Sequence, residues 1–116
     1  MVWYEDLYVG RLAQTRRDAL ISGIDSGNYP AGAWLITVPD NPLRQLEMYS
    51  AGELKHDYTR EHCLLIIGLA LTRAEATALL EKIVQDVYSD HGDADIKAWL
   101  SAEHPHRNSQ GTGRRE

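Results

Sequence analysis

Residues able to ligate a metal or move a proton crowd into one stretch of the chain: His56, Asp57, Glu61, His62 and Cys63. Imidazole, carboxylate and thiolate together could hold a transition metal or serve as acid and base in a hydrolytic reaction. Two zinc histidines on one helix face stand at i and i+4, whereas His56 and His62 are six positions apart. Cys63 opens an apolar run, so it is expected to pack as a small hydrophobe, with the histidines as solvated loop residues. A second polar group, Asp90, His91, Asp93 and Asp95, lacks the twelve-residue calcium-loop pattern with its closing glutamate. Its simpler reading is a helix end followed by aspartates that cap the next helix. His104 and His106 can bind metals adventitiously, and no metal or cofactor is implied.

Cationic chemistry is concentrated at Arg11, Arg16 and Arg17, expected together on one side of a first helix, where they could meet a phosphate or an acidic partner. Asp18 and Asp25 dilute that face. Seventeen acidic against twelve basic residues leave a net charge of -5, which disfavours a broad nucleic-acid surface. Over 72–95, Glu75, Glu81, Asp86, Asp90, Asp93 and Asp95 outnumber Arg73 and Lys82, giving the longest helix an acidic side suited to a basic partner or to solubility. No glycine-rich phosphate loop, Gly-x-Ser-x-Gly elbow, Cys-x-x-Cys or HExxH is present. The chemistry leans away from an enzyme without excluding one.

The elements that must position these groups follow from pattern. With 116 residues, 43% hydrophobic and 25% charged, the chain suits one compact domain, assigned to 1–102, and a polar tail at 103–116 expected to be disordered. Leu12, Ala13, Ala19, Leu20 and Ile24 recur at helical spacing over 10–26. Residues 34–38 and 45–49 flank the turn Pro39-Asp40-Asn41-Pro42 and predict a hairpin, its second strand at an edge with Leu46 and Met48 on the apolar face. Ser50 and Glu53 have capping-box spacing ahead of a short helix over about 51–58.

The unalternating apolar run at 63–71 predicts a strand covered on both faces. Thr72 and Glu75 form a second capping box, before a helix whose stripe is Ala76, Leu79, Leu80, Ile83, Val84 and Val87 and which ends before Gly92. Asp93 or Asp95 then caps a last helix carrying Ile96, Trp99 and Leu100. The fold class is α+β: a small three-stranded mixed sheet, made of the hairpin plus one central apolar strand, packed with about four helices. The hairpin's first strand between the other two and the third strand beside the second both fit the pattern, so strand order stays open. Trp3, Tyr4 and Tyr8 are expected to form a lid over the core, with a partner-binding anchor as the alternative.

The run Ile67-Gly68-Leu69-Ala70, then Glu75-Ala76, Ile83-Val84, Asp86-Val87-Tyr88, Gly92, Asp95-Ile96 and Trp99-Leu100, resembles a family of small uncharacterised bacterial cytosolic proteins of unknown function. Leu35-Ile36, Asn41 and the 46–54 stretch with Ser50 and Glu53 fit it too. The resemblance implies the fold and a cytosolic address and carries no activity.

The expected function is a soluble, non-catalytic interaction or regulatory module acting through a protein partner or as a homodimer, by way of its edge strand or acidic helix. The alternatives are a small metal-dependent or hydrolytic enzyme using His56, Asp57, Glu61 and His62, and a nucleic-acid accessory protein using Arg11, Arg16 and Arg17. Cytoplasm is the expected location: Cys63 is the only cysteine, the opening residues lack a basic, apolar leader pattern, and no apolar run approaches the roughly 20 residues of a membrane span.

Overall fold

The computed structural model describes residues 1–103. The expected tail lies outside the described residues except for Glu103, which closes the last helix. In chain order the elements are β1 (Trp3–Val9), α1 (Arg11–Gln14), α2 (Arg17–Asp25), β2 (Trp34–Pro39) and β3 (Glu47–Ser50). A 3-10 helix (Ala51–Lys55), α3 (Asp57–His62), β4 (Cys63–Ala70), α4 (Arg73–His91) and α5 (Ile96–Glu103) complete the chain. No helix of the described residues is long and apolar enough to cross a membrane.

The class is α+β, with four strands in the order β1-β4-β2-β3. β1 runs parallel to β4, while β2 is antiparallel to both β4 and β3. The first hairpin strand therefore lies between the other two, which decides between the two orders the pattern allowed.

A fourth strand and a fifth helix correct the expected three and four. The missed strand is β1, where a lid of Trp3, Tyr4 and Tyr8 was expected. Its register slips between Trp3, paired with Ile66, and Tyr8, paired with Gly68. The exposed Glu5-Asp6 pair falls in that irregularity and breaks the alternation that marks a strand. The single helix expected over 10–26 is two, because the chain turns at Thr15 and Arg16.

β4 has a strand on each edge and a packed layer on each face. Tyr4, Ile36, Val38, Ile67 and Ala70 meet Ala76, Leu79, Ile83 and Val87 of α4 and Ile96 and Trp99 of α5. On the other face Leu35, Ile66 and Leu69 meet Ala13, Leu20 and Ile24 of α1 and α2 and Ala51 and Leu54 of the 3-10 helix. Thr37 and Ile66 pair, yet the preceding partner of Ile36 is Gly68, so Ile67 is an extra residue in the ladder. Ile67 and Gly68 consequently both look toward the α4 layer. A Cβ on Gly68 would lie 2.9 Å from Ile36 Cδ1, which explains a glycine in the middle of the core strand.

The capping boxes resolve differently. Ser50 makes no side-chain cap, and a tight 3-10 turn followed by α3 replaces the helix expected at 51–58. At α4, Thr72 Oγ1 accepts from the Glu75 N–H at 3.0 Å, the first half of the box. The Glu75 carboxylate turns elsewhere: Oε1 accepts from the Leu71 N–H at 2.9 Å and Oε2 from the Leu12 N–H at 2.6 Å. It thereby crosses Gly10 so closely that a Cβ there would collide with Glu75 Cδ. At the far end Gly92 closes α4 with φ 88°, a left-handed cap that favours glycine. Asp95, rather than Asp93, caps α5, its carboxylate accepting from the Ala98 N–H at 3.1 Å.

Gly10→Ala is expected to cost about 1–3 kcal/mol by overpacking against Glu75. In a Glu75→Ala background, where the obstructing carboxylate is gone, the same change should cost close to nothing. Urea denaturation of the four chains of this cycle measures the coupling, and additive effects would show that the two residues do not meet.

Candidate functional site

β3 ends the sheet on one side, and a groove of about 390 Å³ runs along it. Arg44, Leu46, Glu47 and Met48 line it with Tyr49 from the strand and its approach, and Tyr58, Thr59 and His62 from α3. Leu46 and Met48 pack with the α4 layer while Tyr49 packs with the opposite one, so the groove wraps the strand's edge and does not lie on one face. The wet face expected opposite Leu46 and Met48 is therefore half-buried.

The hydrogen-bond phase of the hairpin decides what that edge offers. The Ala51 N–H donates to the Ala33 carbonyl at 2.9 Å, and the register continues through Leu35 with Tyr49 and Thr37 with Glu47. Because bonded and non-bonded pairs alternate along an antiparallel ladder, Tyr49 and Glu47 bond to β2. The N–H and C=O of Met48 consequently point out of the sheet into the groove, and the Ser50 N–H points out beside them, while the Ser50 carbonyl, at the N-cap of the 3-10 helix, accepts that helix's first bond.

One wall is built by hydrogen bonds more than by packing, since α3 has no buried residue. Arg60 donates to the Leu54 carbonyl at 2.7 Å and also to Asp57. The Asp40 N–H donates to the His62 carbonyl at 3.0 Å, and His62 Nδ1 stands 2.7 Å from Asp40 Oδ2. A carboxylate only accepts, so Nδ1 carries the proton and Nε2 is left with its lone pair when the ring is neutral. Tyr58 lies against that ring, centroids 4.1 Å apart, with 72% of its own surface exposed. On the β2–β3 turn, Asn41 Oδ1 accepts from the Leu43 N–H at 2.9 Å and holds Leu43 outward, 90% exposed.

The four residues grouped in the sequence do not converge. His62 pairs with Asp40, Asp57 with Arg60, and His56 and Glu61 are exposed. Among the described residues no three His, Cys, Asp or Glu side chains gather where they could hold a metal. Cys63 is half-buried toward the α1–α2 layer; burial pushes its thiol above the usual range, opposed by a hydrogen bond from Tyr49.

Arg11 begins α1, Arg16 lies in the turn and Arg17 begins α2, so the three do not share one helix. Arg17 is held by Asp18 at 2.8 Å and borders an open cleft of about 730 Å³ with Trp3 and Asp25. Trp3 Nε1 donates to Asp25 in that cleft at 2.8 Å.

On the acidic side of α4, Tyr8 donates to Asp86 at 2.7 Å and Trp99 Nε1 to Asp90 at 3.3 Å. These carboxylates thus serve as acceptors for aromatic groups of the core. Asp40, Arg44 and Tyr58 escaped the sequence reading because their roles depend on the hairpin turn meeting α3. The only local signal was the turn itself.

No protein-family model matches the chain, and neither does any curated protein or solved structure.

Burial raises the Tyr8 phenol above its ordinary range, with its bond to Asp86 adding to the effect, and burial likewise raises Tyr49. For a group raised on folding, the stability is fully present below the unfolded value of about 10 and is lost as pH climbs beyond it. In an alkaline titration of the six tyrosines, these two should withhold their phenolate absorbance until base unfolds the chain. Native circular dichroism persisting after all six have ionised would contradict the assignment.

Proposed function

We propose that the chain is a non-catalytic interaction module that takes an extended protein segment as a fifth strand on the free edge of β3. The observation that carries this reading is the outward-facing N–H and C=O of Met48, with the Ser50 N–H beside them, along a groove walled by Tyr58 and His62. Main-chain bonds along such an edge supply affinity, and side chains on either side supply selectivity. Leu46, Met48 and Tyr58 offer apolar contact, while Arg44 and Glu47 offer one charge of each sign. The cytoplasm is the proposed address and a protein the proposed partner, in keeping with the lone reduced cysteine and the net charge of -5.

Ser50→Pro tests this reading. Ser50 already has φ -71°, the angle proline imposes, and its N–H faces away from β2, so the change removes one edge donor and spares the hairpin ladder. Peptides selected from a random phage-displayed library on the native chain should bind the Ser50→Pro chain about two- to tenfold more weakly, the loss of one main-chain bond. Circular dichroism and the urea midpoint should stay near native. A library that yields no binder, or binders indifferent to Ser50→Pro, would overturn the proposal.

The Asp40–His62 contact of 2.7 Å favours a second reading, hydrolysis with the imidazole as general base. There His62 Nε2 would take the proton of an attacking water while Asp40 holds the ring. Turnover of activated aryl esters by the native chain, lost in His62→Gln, supports it; no turnover dismisses it.

A further inference from the structure

We infer that the aromatic-lined cavity where β1, α4 and α5 meet binds an organic cation, a guanidinium on a short alkyl chain, seated beside Tyr4 and Trp99 and held by Asp86 and Asp90. The inference is independent of any reading of the β3 edge.

The cavity encloses about 310 Å³, the size of a site for a small ligand. Its aromatic lining is Tyr4 and Tyr8 from β1 and Trp99 from α5. Tyr4 and Trp99 are only 5% and 3% exposed and belong to the core cluster under α4, so the cavity is founded on rigid side chains. Their rings stand 6.4 Å apart between centroids and are tilted by 52°, which makes an angled corner in place of a closed stack. Aromatic surroundings of this kind attract a cation through the ring quadrupole, the more so as water is excluded.

Charge selects the same ligand class. Asp86 and Asp90 reach the cavity from α4, four positions apart, and Asp6 joins them from β1. Like charges at that helical spacing repel, a cost that a cation between them removes. Against the α4 pair stands Lys82, 3.6 Å from Asp86 Oδ2 and itself 62% exposed. The negative surplus is felt at Tyr8, whose phenol is raised first by burial and the Asp86 bond and then by Asp90 as well.

Both carboxylates are aimed by the aromatic groups beside them. The Tyr8 hydroxyl donates to Asp86 Oδ2 at 2.7 Å and Trp99 Nε1 to Asp90 Oδ2 at 3.3 Å. Lys82 approaches the same Asp86 oxygen, so Oδ1 of each carboxylate keeps its lone pairs for an incoming donor. Two acceptors one helical turn apart beside aromatic rings suit a guanidinium: it is planar, carries a fork of N–H donors, stacks on rings and sheds water more readily than an ammonium. A quaternary ammonium would use the rings and leave both acceptors idle.

Titration of the full chain with butylguanidinium, read from the Trp99 indole N–H resonance, tests the inference. Saturable shifts are expected, with neutral butylurea binding at least about tenfold more weakly, since it lacks the charge-assisted bonds. Asp86→Asn and Asp90→Asn keep an oxygen for Tyr8 and Trp99, so the urea midpoint should hold while each weakens butylguanidinium about three- to tenfold. Asp18→Asn, which removes the same charge on α2, should change nothing. N-acetylarginine amide distinguishes the carriers of the group: binding as tight as that of butylguanidinium supports a guanidinium borne on an arginine residue, and weaker binding supports a free small molecule. No saturation by about 10 mM butylguanidinium overturns the inference. So does equal binding of butylurea or butylammonium, or affinity indifferent to both Asp→Asn changes.

Discussion

The Glu75 carboxylate ties the two covering layers of the sheet together at one end of its central strand. One oxygen accepts from the Leu71 N–H, just past β4, and the other from the Leu12 N–H in the first turn of α1. A strand buried on both faces needs two independent covers, one from α4 and α5 and one from α1, α2 and the 3-10 helix. Each cover could slide on the sheet by itself. A single side chain bonded to the start of α1 and to the chain entering α4 removes that freedom. Gly10, which passes beneath it and donates its own N–H to the Leu69 carbonyl at 2.9 Å, has no Cβ because there is no room for one. Partial exposure keeps the net worth of each such bond modest, so the interaction acts chiefly on register.

With β4 and β2 fixed in the interior, the sheet has two outer edges of different character. β1 carries the exposed Glu5 and Asp6 and loses register between Trp3 and Tyr8, devices that spoil an edge as a template. β3 is short, which is also protective, but it is regular and carries Leu46 and Met48 beside its free backbone groups. The acidic surface of α4 is a weaker attraction for a partner, since Asp86 and Asp90 are already engaged by Tyr8 and Trp99. The asymmetry between the edges, more than any cluster of reactive side chains, distinguishes one surface of this molecule from the rest.

How much of this was legible in the sequence depended on the range of the interaction. The interior strand at 63–71 and the helix after it were legible because a run without alternation demands two covers and because Thr72 and Gly92 are local start and stop signals. The hairpin was legible from its turn. β1 was not, because a strand tolerating three extra residues against its partner loses the period of two that marks strands. The break at Thr15 and Arg16 was hidden because Ala13, Leu20 and Ile24 keep a helical spacing across it and all reach the same layer. For the candidate site, the edge strand could be read and its walls could not. His62 meets Asp40 from 22 residues away, whereas its sequence neighbours His56, Asp57 and Glu61 go their own ways.

The wall formed by α3 differs in kind from the rest of the molecule. Six residues long and without a buried side chain, it contributes nothing to either core, and burial cannot be what holds it. Its position comes from the Arg60 bond to the Leu54 carbonyl at its base and the two Asp40 contacts to His62 at its end. Hydrogen bonds among partly exposed groups exchange with water at small net cost, unlike packed apolar surfaces. The groove along β3 thus has a rigid floor, locked into the sheet, and one compliant wall. On the proposed strand-addition reading, an incoming strand would take its register from the floor while the hydrogen-bonded wall accommodates its side chains.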